Sequence, residues 1–146
     1  MPRDHVDDTT PLRRFKKGDR IYVQAQQIWL VLTCLVMRSD RNPRRPLLIS
    51  YGDLAEAMGM PRRAGITLGR QLGIIGRLCI LNELPTLNSI VVNDTTNEPG
   101  DHVVTRPGKN YKQEQADVMR ENWHGIRAPS TGTLRKVWNA ISDDDE

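Results

Sequence analysis

The amino-acid sequence predicts a mainly α-helical fold with a small β-hairpin wing, the arrangement of a winged helix-turn-helix. Two helical segments joined by a tight turn occupy residues 50–81, a short β-branched run follows them, and a Pro-Gly turn comes after that run. This order of elements is typical of the winged-helix class. At 146 residues with 38% hydrophobic content, the chain supports one core of ordinary size.

We therefore expect a single winged-helix domain over residues 20–141. Residues 1–19 are rich in charged residues, Thr and Pro and lack apolar periodicity, which predicts a flexible charged arm. Residues 142–146 predict an acidic tail. Apolar residues dominate from Tyr22 to about Met37, which predicts a helix at the centre of the core. The stretch from Ser39 to Pro46, with Pro43, Arg44 and Arg45, predicts a basic loop.

The first helix of the helix-turn-helix begins at Ser50, whose hydroxyl can cap it, and Asp53 stands in its first turn. Gly59, Met60 and Pro61 end that helix. The segment from Arg62 to about Leu81 predicts the second helix. Its core face is marked by a stripe at spacings of four, three and four residues: Leu68, Leu72, Ile75 and Cys79.

Two further patterns run along the predicted second helix. Arginines recur every seven residues, at Arg63, Arg70 and Arg77. Glycines recur every four residues, at Gly65, Gly69 and Gly73. Interior glycines cost a helix roughly 1 kcal/mol each, so a strip of them indicates close approach to another body. That body is either a DNA backbone, which the arginines favour, or another helix of the same protein.

The wing is predicted at about residues 88–106. Ser89 to Val92 predicts a strand, Asn93 to Gly100 a polar turn, and His102 to Thr105 a returning strand. A C-terminal helix is predicted at about residues 112–124, with Val118, Met119 and Trp123 facing inward. Thr133 to Ile141 predicts a last amphipathic turn or two.

Charge, cysteine and histidine content narrow the functional classes. The formal charge of +3 combines a basic stretch from Arg3 to Arg77 with acidic residues at the C-terminal end, a pattern typical of nucleic-acid binders and also of an ordinary solvated surface. Cys34 and Cys79 lie in apolar stretches and predict core positions. The three histidines are far apart, so we expect no metal and no cofactor. With no apolar run of 18 residues and a charged N-terminus, we expect no membrane segment and a cytoplasmic protein.

Several short motifs in register resemble a known family. They are Ile49-Ser50-Tyr51-Gly52-Asp53-Leu54-Ala55, Gly59, Pro61, Ala64 and Leu68-Gly69, then Pro85, Val91-Val92-Asn93, Pro99-Gly100 and Gln115. Over roughly residues 47–120 the chain resembles the DNA-binding domain of methylguanine-DNA methyltransferases and of the catalytically inactive alkyltransferase-like proteins. The resemblance implies a winged helix whose second helix enters the minor groove, with Tyr51 pressing on the DNA backbone.

The sequence departs from that family at its reactive motif. Where the methyltransferases have Pro-Cys-His-Arg, this chain has Pro85-Thr86-Leu87-Asn88, so the alkyl-accepting cysteine and its activating histidine are absent. The resemblance therefore implies a pseudo-active site of Pro85, Thr86 and Asn88 without alkyl transfer. Alignment on Leu68-Gly69 places Ile66 where the family has the arginine that fills the space of a flipped base. Base flipping by residue 66 is accordingly not expected, and Arg62 or Arg63, one turn earlier, is the alternative residue for that position.

The leading hypothesis is a non-catalytic protein that binds double-stranded DNA. The residues predicted to bind it are Tyr51, Arg44, Arg45, Arg62, Arg63, Thr67, Arg70, Arg77 and Asn93. An alternative is a small interaction or inhibitor protein, of phage or mobile-element type, that binds a host nucleoprotein through Trp123, Trp138 and the acidic tail. A third hypothesis is a nuclease that holds magnesium at Asp94, Glu98 and Asp101, although a turn-rich stretch uses such residues anyway.

Overall fold

A long helix, α1 (Arg20–Arg38), lies at the centre of the fold. The computed structural model describes Leu12, Arg14, Gly18, residues 20–100 and residues 103–144, so most of the predicted N-terminal arm lies outside the described residues. One stripe of α1 is buried, including Ile28, Trp29 and Leu32. This stripe packs against α3 (Gly69–Leu81) and α5 (Thr131–Asp144). The mainly α class and the central core helix are thus confirmed.

The first helix of the predicted helix-turn-helix forms as expected. Strand β1 (Ile49–Ser50) leads directly into α2 (Tyr51–Ala57). The Ser50 hydroxyl caps α2 by accepting a hydrogen bond from the Asp53 backbone N–H at 3.0 Å, which satisfies one of the free donors at the helix start. Gly59 adopts a φ of +79° after the helix, a conformation that favours glycine.

The predicted second helix is not continuous, and this corrects the expectation of one helix from Arg62 to Leu81. A 3₁₀ turn occupies Arg62–Thr67, and α3 begins only at Gly69. The chain changes direction at Leu68, which is fully buried with φ of −91° and ψ of 5°. Arg63 therefore does not lie on the same helix as Arg70 and Arg77. The predicted core stripe of Leu68, Leu72, Ile75 and Cys79 is confirmed, since all four are buried.

The predicted hairpin is wrong in its pairing. Strand β2 (Val91–Val92) forms, but it pairs in parallel with β1, Ile49 opposite Val91 and Ser50 opposite Val92. The described residues 103–106 contain no strand, and His102 lies outside the described residues. Both faces of β2 are buried. The strand therefore pairs with β1 inside the domain and does not form a projecting ribbon.

The C-terminal part is helical with different bounds from those predicted. Helix α4 (Tyr111–Arg120) has a capping box formed by Asn110 and Gln113, and Glu121, with ψ of 140°, ends it. Trp123–Gly125 forms a separate 3₁₀ turn. The predicted helix over 112–124 is thus two elements. Helix α5 is longer than the predicted turns and continues to Asp144, so the acidic tail does not begin at residue 142.

The aromatic and cysteine residues divide between core and surface. Trp123 is 1% exposed, meets Trp29 edge to face with ring centroids 5.5 Å apart, and donates its indole N–H to the Val118 carbonyl at 2.9 Å. It is therefore a core residue, whereas Trp138 is half-buried. Cys79 is buried, which raises the pKa of its thiol to about 12. Cys34 is exposed, contrary to the prediction, because it lies off the buried stripe of α1.

Among the described helices, none combines the length and the apolar character that crossing a bilayer requires.

A buried ion pair holds the 3₁₀ turn Leu87–Ile90 against α4. The Glu114 carboxylate is fully buried and accepts four hydrogen bonds: two from the Arg106 guanidinium at 2.7 and 2.9 Å, one from the Arg106 backbone N–H and one from the Thr86 hydroxyl. The hydrogen bonds and charge of Glu114 raise the pKa of Arg106. Nearby, Gln115 donates to the Ser89 carbonyl at 2.9 Å. Together these bonds fix the backbone that leads into β2.

We expect Glu114→Gln to lower the free energy of unfolding by about 3 kcal/mol, because Arg106 then loses the carboxylate that neutralises it. Chemical denaturation at pH 7 measures this loss. The matched control is Asp117→Asn, which removes a carboxylate that also pairs with Arg106 but is 21% exposed; it should cost about 1 kcal/mol. An equal loss in the two variants would contradict the role assigned to the buried pair.

Candidate nucleic-acid interface

A cleft of about 780 Å³ separates α2, the 3₁₀ turn Arg62–Thr67 and α3 from the loop after β2. Tyr51, the 3₁₀ turn Arg62–Thr67 and the first half of α3 line one side, and residues 93–95, Gly100 and Val103 line the other. Asn88 also lines it and is 5% exposed. We refer to this space as the cleft. It brings together four of the predicted binding residues: Tyr51, Arg62, Arg63 and Asn93.

Three interactions hold the loop of residues 93–100 to the rest of the domain, so the loop forms a fixed wall of the cleft. The Gly100 backbone N–H donates to the Tyr51 hydroxyl at 2.8 Å. The Tyr111 hydroxyl donates to Glu98 at 3.2 Å, and burial together with that carboxylate raises the pKa of Tyr111. Within the loop, the Asn93 backbone N–H donates to the Glu98 carbonyl at 2.8 Å. The third fastening is an ion pair between Arg62 and Asp94.

Arg62 is engaged by acidic side chains and is not a free cation. Its guanidinium pairs with Asp53, with Glu56 at 3.2 Å and with Asp94 at 3.0 Å. The hydrogen bond with Arg62 lowers the pKa of Asp53, and the pKa of Arg62 is raised by Asp53 and Asp94. One cation among three carboxylates leaves this edge of the cleft acidic. We call the group of Asp53, Glu56, Arg62 and Asp94 the acidic edge. The prediction that Arg62 contacts DNA is therefore replaced by a structural role.

Helix α3, in contrast to the acidic edge, presents a basic surface to solvent. It contains no acidic residue, and Arg70 and Arg77 are exposed without a carboxylate partner in the described part of the chain. Arg70 lies over the Trp138 ring, with its guanidinium carbon 5.9 Å from the ring centroid. A methyl group added at Gly69 or Gly73 would meet nothing within 4 Å. This surface, Gly69, Arg70, Gly73 and Arg77, is called the open face of α3.

The three glycines Gly65, Gly69 and Gly73 do not share one role. One packs against another element of the protein, and two face open space that another molecule can enter. A side chain at Gly65 would overlap the Tyr51 carbonyl, so this glycine serves the packing of the 3₁₀ turn against α2. Gly69 and Gly73 instead line the cleft and face open space. Only these two leave room for another molecule to approach the helix backbone.

Three other predicted binding residues lie away from the cleft. Arg44 and Arg45 are exposed in a loop whose neighbour Arg41 donates to carbonyls at the end of α4, and Arg45 pairs with Asp40 at 3.5 Å. The Thr67 hydroxyl donates to the Ala64 carbonyl at 2.6 Å. Thr67 lines a second, smaller hollow of about 470 Å³ beside Arg20 and Arg70.

The predicted pseudo-active site is split. Pro85 and Thr86 are buried, and Thr86 is bonded to Glu114 and Ser89 outside the lining of the cleft. Asn88 alone lines the cleft, and its buried Oδ1 atom has no hydrogen-bond partner among the described residues. The position matched to the reactive cysteine thus serves the core, while Asn88 lines the cleft as a buried residue.

The acidic residues considered for magnesium binding are used otherwise. Asp94 pairs with Arg62 and Glu98 accepts from Tyr111, while Asp101 lies outside the described residues. In residues 20–100 and 103–144, no three His, Cys, Asp or Glu side chains are grouped for metal binding.

One prominent residue of this surface was not predicted as a binding residue. Ile66 is 89% exposed and borders both the cleft and the smaller hollow. The apolar side chain of Ile66 favours burial, so its residue type does not predict this exposure. Comparison of the chain with protein-family models, curated proteins and solved structures gave no match.

The two glycines of α3 at positions 73 and 76 provide a test of the cleft geometry. Gly73→Ala should raise the free energy of unfolding by about 0.5–1 kcal/mol, since alanine favours the helix and the added methyl meets open space. Gly76→Ala should lower it by about 1–3 kcal/mol, because the methyl would overlap Val104 and stand 2.7 Å from Asn88 Oδ1. Thermal unfolding of both variants measures the contrast. A destabilised Gly73→Ala would show that the cleft is closed there.

Proposed function

We propose that this protein is a non-catalytic DNA-binding protein of the winged-helix, alkyltransferase-like type. It contacts duplex DNA through α3 and the loop of residues 93–100. The observation that carries the proposal is the open face of α3, where two arginines without a carboxylate partner among the described residues lie beside two glycines with free space above them. Guanidinium groups beside a smooth helix surface suit the phosphate backbone, which attracts cations and approaches closely only where side chains are small.

The spacing of the arginines agrees with this partner. Arg70 and Arg77 are seven residues apart on α3, which corresponds to about 10 Å along the helix axis. A DNA strand advances 3.4 Å per nucleotide, so the two cations span about three nucleotides of one strand. Arg63, exposed on the preceding 3₁₀ turn, extends the same basic surface.

The acidic edge orients the nucleic acid. Asp53 and Glu56 on α2 and Asp94 in the loop surround Arg62 at the acidic edge, and phosphates are repelled from that edge. The backbone of the bound duplex therefore follows α3 and Arg63. By repelling phosphates, the carboxylates restrict the protein to one register on the duplex, as phosphate contacts do by attraction.

The winged-helix assignment is supported by the order of the elements and not by a hairpin. Helices α2 and α3 with their tight connection supply the helix-turn-helix, and the fastened loop of residues 93–100 takes the place of the wing. Tyr51 stands at the first position of α2, facing the cleft, as the resemblance to the alkyltransferase-like proteins implies. Thr86 in the core is consistent with a protein that lacks alkyl transfer.

The proposal predicts a strong and salt-dependent affinity that depends on the open face of α3. We expect Arg70→Glu with Arg77→Glu to lower the affinity for duplex DNA about a hundredfold and to reduce the slope of log K against log salt by about 2, one unit for each lost phosphate contact. Fluorescence anisotropy at several salt concentrations, with unmodified duplex, alkylated duplex and single strands, measures both quantities.

The matched control is Arg38→Glu, which reverses one charge at the far end of α1, about 27 Å along the helix from Arg20. Gln71 on α3 donates to Gln24 near the start of α1, so Arg38 lies at the other end of α1 from Arg70, and its reversal should change the affinity less than threefold. Melting temperatures confirm that the variants are folded. Equal loss in the control and the double variant, or no binding of any DNA, contradicts the proposal.

A second candidate function is a small protein that binds a host nucleoprotein. The acidic edge favours it, because three carboxylates in an exposed group suit a basic protein surface. A basic partner that co-purifies with the wild-type chain and is lost on Asp53→Asn with Glu56→Gln, in the absence of any DNA gel shift, would support this function over the first.

A further inference from the structure

We propose that Ile66 is an apolar wedge that inserts between two stacked base pairs from the groove and bends the duplex. This inference rests on the proposed function, since it requires that the chain binds DNA. The partner it specifies is a duplex step that is easily unstacked, and the proposed event is insertion into the stack, with both bases remaining in the duplex.

The exposure of Ile66 is the first observation. Within residues 20–100 and 103–144, it is the most exposed of the large hydrophobic side chains, at 89%, ahead of Leu81 at 68% and Leu30 at 51%. Single exposed hydrophobic residues are common on protein surfaces, so exposure alone is not sufficient. The position of Ile66 between two hollows, the cleft on one side and the smaller hollow near Arg20 on the other, makes it a projecting tip with space on both flanks.

The second observation is that this tip is rigidly mounted. Gly65 packs on the Tyr51 carbonyl, and Leu68 is fully buried, so the turn is anchored on both sides of Ile66. The Thr67 hydroxyl also donates to the Ala64 carbonyl at 2.6 Å. Isoleucine is β-branched and has a stiff first side-chain torsion, so little rotamer freedom is lost on insertion. A wedge that separates stacked bases needs such a fixed support.

The third observation is the charge around the tip. Arg63 and Arg70 lie three residues before and four residues after Ile66, and both are exposed without a carboxylate partner in the part of the chain that the structure describes. An apolar tip between two cations is complementary to bases flanked by phosphates, and not to an apolar protein pocket, which would have to bury both charges. Proteins that bend DNA from the minor groove insert side chains of this kind at a base step.

The unstacking cost makes the wedge selective for deformable sequence. Pyrimidine-purine steps such as TA and CA unstack most easily, so we expect a preferred site centred on one of them without any contact to a base edge. A mismatch or a small bulge lowers the same cost further. The chain should therefore bind such duplexes more tightly than a fully paired duplex of equal length and charge.

The experiment measures DNA bending by energy transfer between dyes at the two ends of a short duplex, in parallel with anisotropy. The wild-type chain should bend a duplex with a central TA step. Ile66→Ala should abolish the bend and lower the affinity about tenfold, with an unchanged salt slope, whereas Ile66→Leu should keep both the bend and the affinity. On a duplex with a two-nucleotide bulge at the centre, the Ile66→Ala loss should shrink to less than threefold, because that step is already unstacked.

The control is Leu30→Ala, which removes another exposed apolar side chain, on the solvent side of α1, and should have no effect on bending or affinity. If the wild-type chain binds DNA without bending it, or if Ile66→Ala bends the duplex as the wild type does, the wedge is wrong while the proposed function stands. If the chain binds no DNA, both are wrong. A large fluorescence increase of 2-aminopurine at the site, retained in Ile66→Ala, would indicate an extruded base and would also overturn the wedge.

Discussion

The buried pair between Glu114 and Arg106 is the interaction on which the candidate interface depends. A fully buried carboxylate is tolerated only when its charge is neutralised and its lone pairs are filled, and Arg106 and Thr86 do both. Through Thr86 the pair fixes the 3₁₀ turn Leu87–Ile90, which carries Asn88 into the cleft and leads into β2. The parallel pairing of β2 with β1 then sets the start of α2, where Tyr51 holds the loop at Gly100.

Charge is divided across the cleft in a way that the net charge of +3 does not reveal. On the α2 side, Arg62 is neutralised by the carboxylates of the acidic edge and connects the loop to the helix. On the α3 side, the arginines have no such partners among the residues that the structure describes, and glycines leave the helix backbone open. A basic surface bordered by an acidic one favours a polyanion in one orientation only. The proposed wedge, Ile66, lies on the basic side, where a bound duplex would cover it.

Much of the fold follows from local patterns that tertiary contacts did not override. The Ser50 cap, the end of α2 at Gly59 and the core stripe from Leu68 to Cys79 were all predicted correctly, because each depends on chemistry within a few residues. The expectations that failed concern long-range partners. Val91 and Val92 pair with β1 rather than with the residues that follow them. The apolar pattern through Leu68 continues across a break between the 3₁₀ turn Arg62–Thr67 and α3 and therefore does not reveal it. Cys34 shares an apolar segment with core residues but lies on its exposed side.

For the candidate site, sequence alone determined the residue types: the arginines and glycines near α3, Tyr51 at the head of α2, and the absence of a cysteine at the motif of Pro85 to Asn88. The chemistry of these residues follows from their side-chain types alone. Only the tertiary structure decided which of them are available. Arg62 is paired because residues nine, six and thirty-two positions away converge on it. Thr86 is buried in a hydrogen bond with Glu114, and Ile66 is exposed between the cleft and the smaller hollow. Burial and pairing depend on residues distant in sequence, which is why periodicity and composition did not predict them.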